Sequence, residues 1–224
     1  MNYNKQIDRI VEYFHRQEKT HDNLKIGAEF EHFVVRENYL SAVHYDENSK
    51  DGIRDLLNYL LQKGWTGSFE GDDLIGLEKD GSTITLEPGA QIELSTQHTS
   101  TLSEMEQIYK NFVFDLVPWL ADQHQLLVAL GYQPHSKIEE ISFIPKQRYV
   151  FMSDYLAQKG RYALNMMKGT ASTQLTLDYL TEEDYTKKFQ VACFLAPILA
   201  ILTDNSPIFE GKRYKKYALR TNIW

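Results

Sequence analysis

The feature that most restricts the folds open to this chain is a pair of glutamates set into a strand-like segment. Leu24-Lys-Ile-Gly-Ala-Glu-Phe-Glu-His-Phe-Val-Val-Arg36 alternates with a period of two and reads as a β-strand. Successive strand residues point to opposite faces, so Glu29 and Glu31 share one face while Ala28 and Phe30 take the other. Carboxylates are depleted from strands, and two on one face repel each other. Two readings follow: the face lies at a solvated edge, or something positive sits between the carboxylates. A hard cation such as Mg²⁺, which takes oxygen ligands, would serve the second.

A second acidic cluster favours the cation. In Thr85-Leu-Glu-Pro-Gly-Ala-Gln-Ile-Glu-Leu-Ser95, a regular strand from 87 to 93 would put Glu87, Gly89, Gln91 and Glu93 on one face, with Leu86, Ile92 and Leu94 opposite. A bulge at Pro88-Gly89 would break that parity. A polar face with a bare glycine suits close approach of a ligand, while a solvated amphipathic strand would look the same. A third strand, Thr170–Tyr179, places Gln174, Thr176 and Asp178 together. These groups suit a zwitterionic amino acid, or are simple sheet polarity. Arg220 offers a guanidinium able to grip phosphate or carboxylate bidentately; the competing reading is a solvated tail residue. His32 faces away from Glu31 and reads as structural. His135 follows a strand end, where a site and a plain loop are equally good readings.

Other chemistries have no footing. There is no G-x-x-x-x-G-K-[ST] phosphate loop, no dinucleotide glycine fingerprint and no nucleophile elbow. A net charge of −7 lacks the basic face of a general nucleic-acid binder. The lone Cys193, in Val191-Ala-Cys-Phe-Leu-Ala, forms no intramolecular disulfide and reads as a buried small hydrophobe. The polar start gives no signal peptide, and the apolar run Phe189–Leu202 is too short to span a bilayer. The expectation is a cytoplasmic protein with no membrane or nucleic-acid partner.

Helices are predicted at Gln6–Arg16, Asp51–Leu61, Leu102–Gln125 with Ser103 capping it, Lys146–Gln158, and Thr181–Thr203 with a bend at Pro197. Strands are predicted at 24–36, 82–86, 91–95, 126–131 and 170–179, with shorter ones between Gly64 and a hairpin turn at Lys79-Asp80-Gly81. The tail after Asn205 reads as irregular. With no repeat or linker, residues 1–224 read as one domain.

These segments together resemble the plant-type glutamate–cysteine ligases. The likeness runs from about Lys25 to Trp224. It rests on Ile26-Gly-Ala-Glu-Phe-Glu-His-Phe33 and above all on Ile84-Thr-Leu-Glu-Pro-Gly-Ala-Gln-Ile-Glu-Leu-Ser95. Leu130-Gly-Tyr-Gln-Pro134, Pro145-Lys-Gln-Arg-Tyr149, Met166-Met-Lys-Gly-Thr-Ala-Ser-Thr-Gln-Leu-Thr-Leu-Asp-Tyr179, Asn205-Ser-Pro-Ile-Phe-Glu-Gly-Lys212 and Arg220-Thr-Asn-Ile-Trp224 follow in order. The resemblance implies an α+β, glutamine-synthetase-like fold, mainly an antiparallel curved sheet lining the active site with helices on its outer face. It also implies ATP- and Mg²⁺-dependent joining of the glutamate γ-carboxyl to the amine of cysteine through γ-glutamyl phosphate, as in glutathione-type thiol synthesis.

By the same resemblance, Glu29, Glu31, Glu87 and Glu93 are metal carboxylates, and Arg220 is a catalytic residue near the phosphates. Gln174, Thr176, Arg148, Tyr149 and Met167 are substrate-binding; Thr176 stands where the family commonly has Asn. Family members run on past Trp224 with further strands, another metal carboxylate and more phosphate-binding residues. The expectation is therefore an incomplete catalytic domain with an open sheet edge, which self-associates or takes a partner completing the sheet. A non-catalytic half that binds glutamate or nucleotide, and a ligase with another acceptor amine, are the alternatives.

Overall fold

The computed structural model describes residues 3–224. Nine strands and seven helices make an α+β fold among these residues. The strands are β1 (Ile26–Arg36), β2 (Thr66–Glu70), β3 (Asp73–Lys79), β4 (Ser82–Leu86), β5 (Ile92–Ser95), β6 (Gln125–Val128), β7 (Thr173–Leu177), β8 (Ile208–Phe209) and β9 (Lys212–Arg213). The first seven form one sheet in the order β2-β3-β4-β5-β1-β6, with β7 also on β1, and the pairings along it are antiparallel. One edge of β1 takes β5 through Glu29–His32. Its other edge is shared end to end by β7, on Ile26–Phe30, and β6, on Phe33–Arg36.

Alternation sorts the two faces of the sheet. Ile84, Leu86, Ile92, Leu94 and Val34 point to one side and are buried against α2 (Ile53–Leu61) and α3 (Leu102–Asp122). Those helices contribute Leu56, Leu57 and Leu60, and Phe112, Leu116 and Leu120, at the spacing of a helical stripe. The opposite positions, Glu29, Glu31, Thr85 and Glu93, fall on the other face. Phe33 and Val35 share that face further along and make a smaller apolar cluster with Ala171. His32 is on the helix side, where its Nε2 lies 2.8 Å from the Tyr109 hydroxyl of α3, in keeping with a structural role.

Several boundaries differ from expectation for local reasons. Helix α3 is capped by Thr101 rather than Ser103: the Thr101 hydroxyl accepts from the Glu104 amide at 3.2 Å and the Glu104 carboxylate accepts from the Thr101 amide at 3.1 Å. The hairpin turn at Asp80-Gly81 is present, both residues having positive φ, as a two-residue turn between right-twisted strands requires. Residues 87–91 are not a strand. Glu87 N–H donates to Gln91 O and Ala90 N–H to Glu87 O, each at 2.9 Å, and Ala90 takes φ 67°, so β4 and β5 form a hairpin. Beyond α4 (Gln147–Leu156), the Met-rich segment is a helix, α5 (Ala163–Gly169), and the tail holds the β8–β9 hairpin and α7 (Leu219–Ile223).

The N-terminal helix α1 (Tyr3–His15) and α6 (Glu182–Leu202) have no buried residues. Cys193 on α6 is exposed, contrary to its expected burial, because its helix packs neither face into the core. By length and composition α6 resembles a membrane span. Its uncharged part, Phe189–Leu202, nevertheless reaches only about 21 Å at 1.5 Å per residue, against roughly 30 Å of hydrocarbon.

Candidate functional site

The polar sheet face opens into a cavity of about 490 Å³ lined by Glu31, Glu87, Glu93, Arg148, Tyr149, Met167, Gln174 and Arg220, with Met152, Met166, Thr170, Ser172 and Trp224 also contributing. Glu31 and Glu93 are direct cross-strand partners, and Thr85 pairs with Glu93 on the far side. Two steps beyond Thr85, the hairpin brings Glu87 to the same rim. The sequence grouping of Glu87 with Glu93 therefore holds, although a turn and not a continuous strand brings them together. Glu29 and Thr176 do not line this cavity. They lie one strand step further along, in an adjoining cleft of about 200 Å³ with Gly27, Ser95 and His98. His135 is exposed beside Gly211, away from both.

Each carboxylate has its own surroundings. Glu31 accepts from the Ser172 amide at 2.8 Å, the Ser172 hydroxyl at 3.2 Å and Gln174 Nε2 at 3.1 Å. Burial, then the charge of Glu93, holds its pKa above the ordinary range, while the Ser172 bonds and Arg220 pull the other way. Glu93 accepts from Thr85 and Ser95 hydroxyls at 2.9 and 3.1 Å. Glu87 receives no hydrogen bond from a described side chain, and burial together with Glu31 and Glu93 pushes it up to about 7, against Arg148 and Lys146. Burial, then Glu93, also raises Glu29. Glu93 thus raises Glu29, Glu31 and Glu87, and Glu31 also raises Glu87, so the face carries negative charge that the nearby Arg148 and Arg220 only partly offset.

The cationic and apolar walls are equally specific. Arg220 stands on α7, which is anchored by buried Leu219 and Ile223 beside Tyr132. Its guanidinium carbon lies 5.1 Å from the centroid of Trp224, and Nε is buried with no hydrogen-bond partner among the described residues. Arg148 is exposed and lies over the Tyr149 ring at 5.1 Å. Tyr149 itself is buried and donates to Leu86 O at 3.1 Å, so it offers the cavity its ring and not its hydroxyl. Gln174 likewise spends an N–H on Glu31. Ser172 escaped the sequence reading although strand parity with Gln174 points to it; Met152 and Trp224 carry no local signal.

Among the described residues, no three acidic, histidine or cysteine side chains form a group that encloses a metal ion. Mg²⁺ is commonly held by one or two carboxylates plus substrate phosphates and waters rather than by a protein cage. The donors here, hard oxygens with uncompensated charge, fit that mode.

A sheet-borne cleft lined by carboxylates, guanidiniums and thioethers presents groups complementary to a small ligand bearing both ammonium and acidic groups. Comparison with known proteins narrows the class. The model of glutamate-cysteine ligase family 2 (GCS2) matches residues 25–224, and the chain belongs to that family. It is 33% identical over 216 residues to the chloroplastic glutamate–cysteine ligase of Arabidopsis thaliana, covering 96% of this chain and 40% of the relative. Chloroplastic ligase A of Oryza sativa subsp. japonica is 32% identical, with 96% and 43% covered. The chloroplastic ligase of Solanum lycopersicum is 32% identical, with 96% and 40% covered. The chain thus spans about two fifths of the length of these relatives.

Proposed function

We propose that this chain carries the carboxylate-bearing part of an ATP- and Mg²⁺-dependent ligase of glutamine-synthetase-like fold, joining the glutamate γ-carboxyl to the amine of cysteine. The observation that carries the reading is the convergence of Glu31, Glu87 and Glu93 with Arg148 and Arg220 around one cavity. Glu31, Glu87 and Glu93, with Glu29 alongside, would hold Mg²⁺. When bound, it offsets phosphate charge. Arg220 and Arg148 would grip anionic oxygens of the phosphates or of glutamate. Gln174, through its carbonyl, would orient ammonium groups, with Thr176 alongside in the adjoining cleft, while the Tyr149 ring and Met167 would exclude water from the reacting carbonyl. A γ-carboxylate oxygen attacks the γ-phosphorus and ADP leaves. The acceptor nitrogen then attacks the acyl carbon, loses a proton, and phosphate departs. No protein nucleophile is needed; positioning and charge compensation suffice.

In a full-length protein carrying this chain, ADP release should require Mg²⁺, glutamate and an amine together, and Glu31→Gln should abolish it while leaving the circular dichroism spectrum intact. Background ADP release from the full-length protein would refute the reading. Equal turnover with amines unlike cysteine would move the acceptor assignment to another class.

A second reading rests on separate observations: among the described residues β7 pairs only with β1, and α6 is exposed along its length. We propose that the chain self-associates there, extending the sheet. A strictly monomeric sedimentation profile would exclude it.

A further inference from the structure

The cavity has two walls that meet no common strand: the Glu87–Gln91 hairpin and the end of α5. Gln91 joins them. The side chain is 1% exposed. Its Oε1 accepts from the Gly89 amide at 2.8 Å, folding the hairpin onto itself. Its Nε2 donates to Met167 O at 3.2 Å and to Thr170 O at 2.9 Å, across the gap. An amide group has two N–H donors and a carbonyl acceptor, and here all are used. The hairpin tip is flush against the same segment: a Cβ at Gly89 would come within 2.5 Å of Lys168 O. Strand parity puts Gln91 on the side of Glu93, but there it is covered by the end of α5 and does not line the cavity, so an unpaired amide would be costly.

We propose that Gln91 is a positioning residue, a clamp that fixes the spacing between Glu87 on one wall and Met167 and Thr170 on the other. No charged or apolar side chain of the same length replaces it. Gln91→Glu keeps an acceptor for Gly89 but loses both donors and sets a carboxylate against two carbonyls; Gln91→Met loses all three bonds. The role bears on the ligand site assigned above, so its test has one arm independent of that assignment.

The experiment compares native chain, Gln91→Met, Gln91→Glu and, as a control of general destabilisation, Leu57→Ala in the remote core. Amide hydrogen exchange should accelerate at least about tenfold in residues 87–91 and 166–171 of both Gln91 variants, beyond any change in α2 and α3; opening of this kind is local. Leu57→Ala should show no such concentration. Titration with Mn²⁺ alone, followed by electron paramagnetic resonance, should show affinity lowered about 10- to 100-fold by either Gln91 change and unaltered by Leu57→Ala. Unchanged exchange across both segments overturns the clamp. Accelerated exchange with native Mn²⁺ affinity reduces Gln91 to a structural residue and overturns its positioning role. A native chain that takes up no Mn²⁺ either alone or with ATP refutes the metal reading instead, leaving the exchange arm to decide the clamp.

Discussion

At the scale of single residues, the sheet face stores unfavourable charge, and Glu87 shows it most. Its carboxyl is half-buried near Glu31 and Glu93, receives no hydrogen bond from a described side chain, and is pushed up to about 7. A carboxyl whose folded pKa lies above its unfolded value favours folding while protonated. Below about pH 4.5 both states hold the proton and the penalty is absent. As pH rises toward 7 the unfolded chain ionises first, and the folded state loses on the order of 2–3 kcal/mol, levelling above that point. Glu87→Gln should therefore melt higher than the native chain at pH 8 and alike near pH 4.5, as followed by circular dichroism. Equal melting at pH 8 would mean that the cavity is wetter than its geometry indicates. The same destabilisation makes a bound cation favourable, so Mg²⁺ should raise native stability more than that of the variant.

At the scale of elements, caps and turns decide what local pattern leaves open. Both Thr101 and Ser103 suit the start of α3 by residue type. Each also stands three residues before a glutamate, Glu104 and Glu106, and the reciprocal pair forms at Thr101. Thr101→Ala should cost about 1 kcal/mol in urea unfolding, whereas Ser103→Ala should stay within about 0.5 kcal/mol. The same logic separates what the sequence disclosed from what it hid. Glu29 and Glu31 share a face because the period of a strand is two, a property of the chain alone. The turn between Glu87 and Gln91 was hidden because it depends on a left-handed Ala90, and alanine gives no warning of positive φ as glycine or asparagine would. The exposure of Cys193 depends on what packs against α6, which no local window encodes. Trp224 and Met152 reach the cavity through tertiary packing far from β1 in sequence.

At the scale of the whole molecule, a sheet that buries one face under α2 and α3 leaves its β7 edge unpaired among the described residues. Among those residues, strand β7 pairs only with β1, and Leu175 and Leu177, on the face opposite Gln174 and Thr176, are 64% and 56% exposed. Helix α6 adds Phe194 and Leu202 at 73% and 75%. An edge strand with free amides and carbonyls next to exposed apolar side chains pairs readily with another strand. Its sequence, Thr173-Gln-Leu-Thr-Leu177, is self-complementary about Leu175: antiparallel pairing between two copies sets Gln174 opposite Thr176 and continues the polar face from one site to the next. The chain should then sediment as a dimer or larger assembly in the micromolar range. Leu175→Lys puts a charge on the apolar side of that edge without touching the cavity, and should weaken association at least about tenfold, or 1.4 kcal/mol, with the melting temperature of the dilute protein little changed. Phe194→Asp reports separately on α6: if it alone disperses the assembly, the helix and not the strand edge forms the contact. If neither change alters the sedimentation of an assembled chain, the copies meet elsewhere, and the β7 edge is then protected only by its shortness.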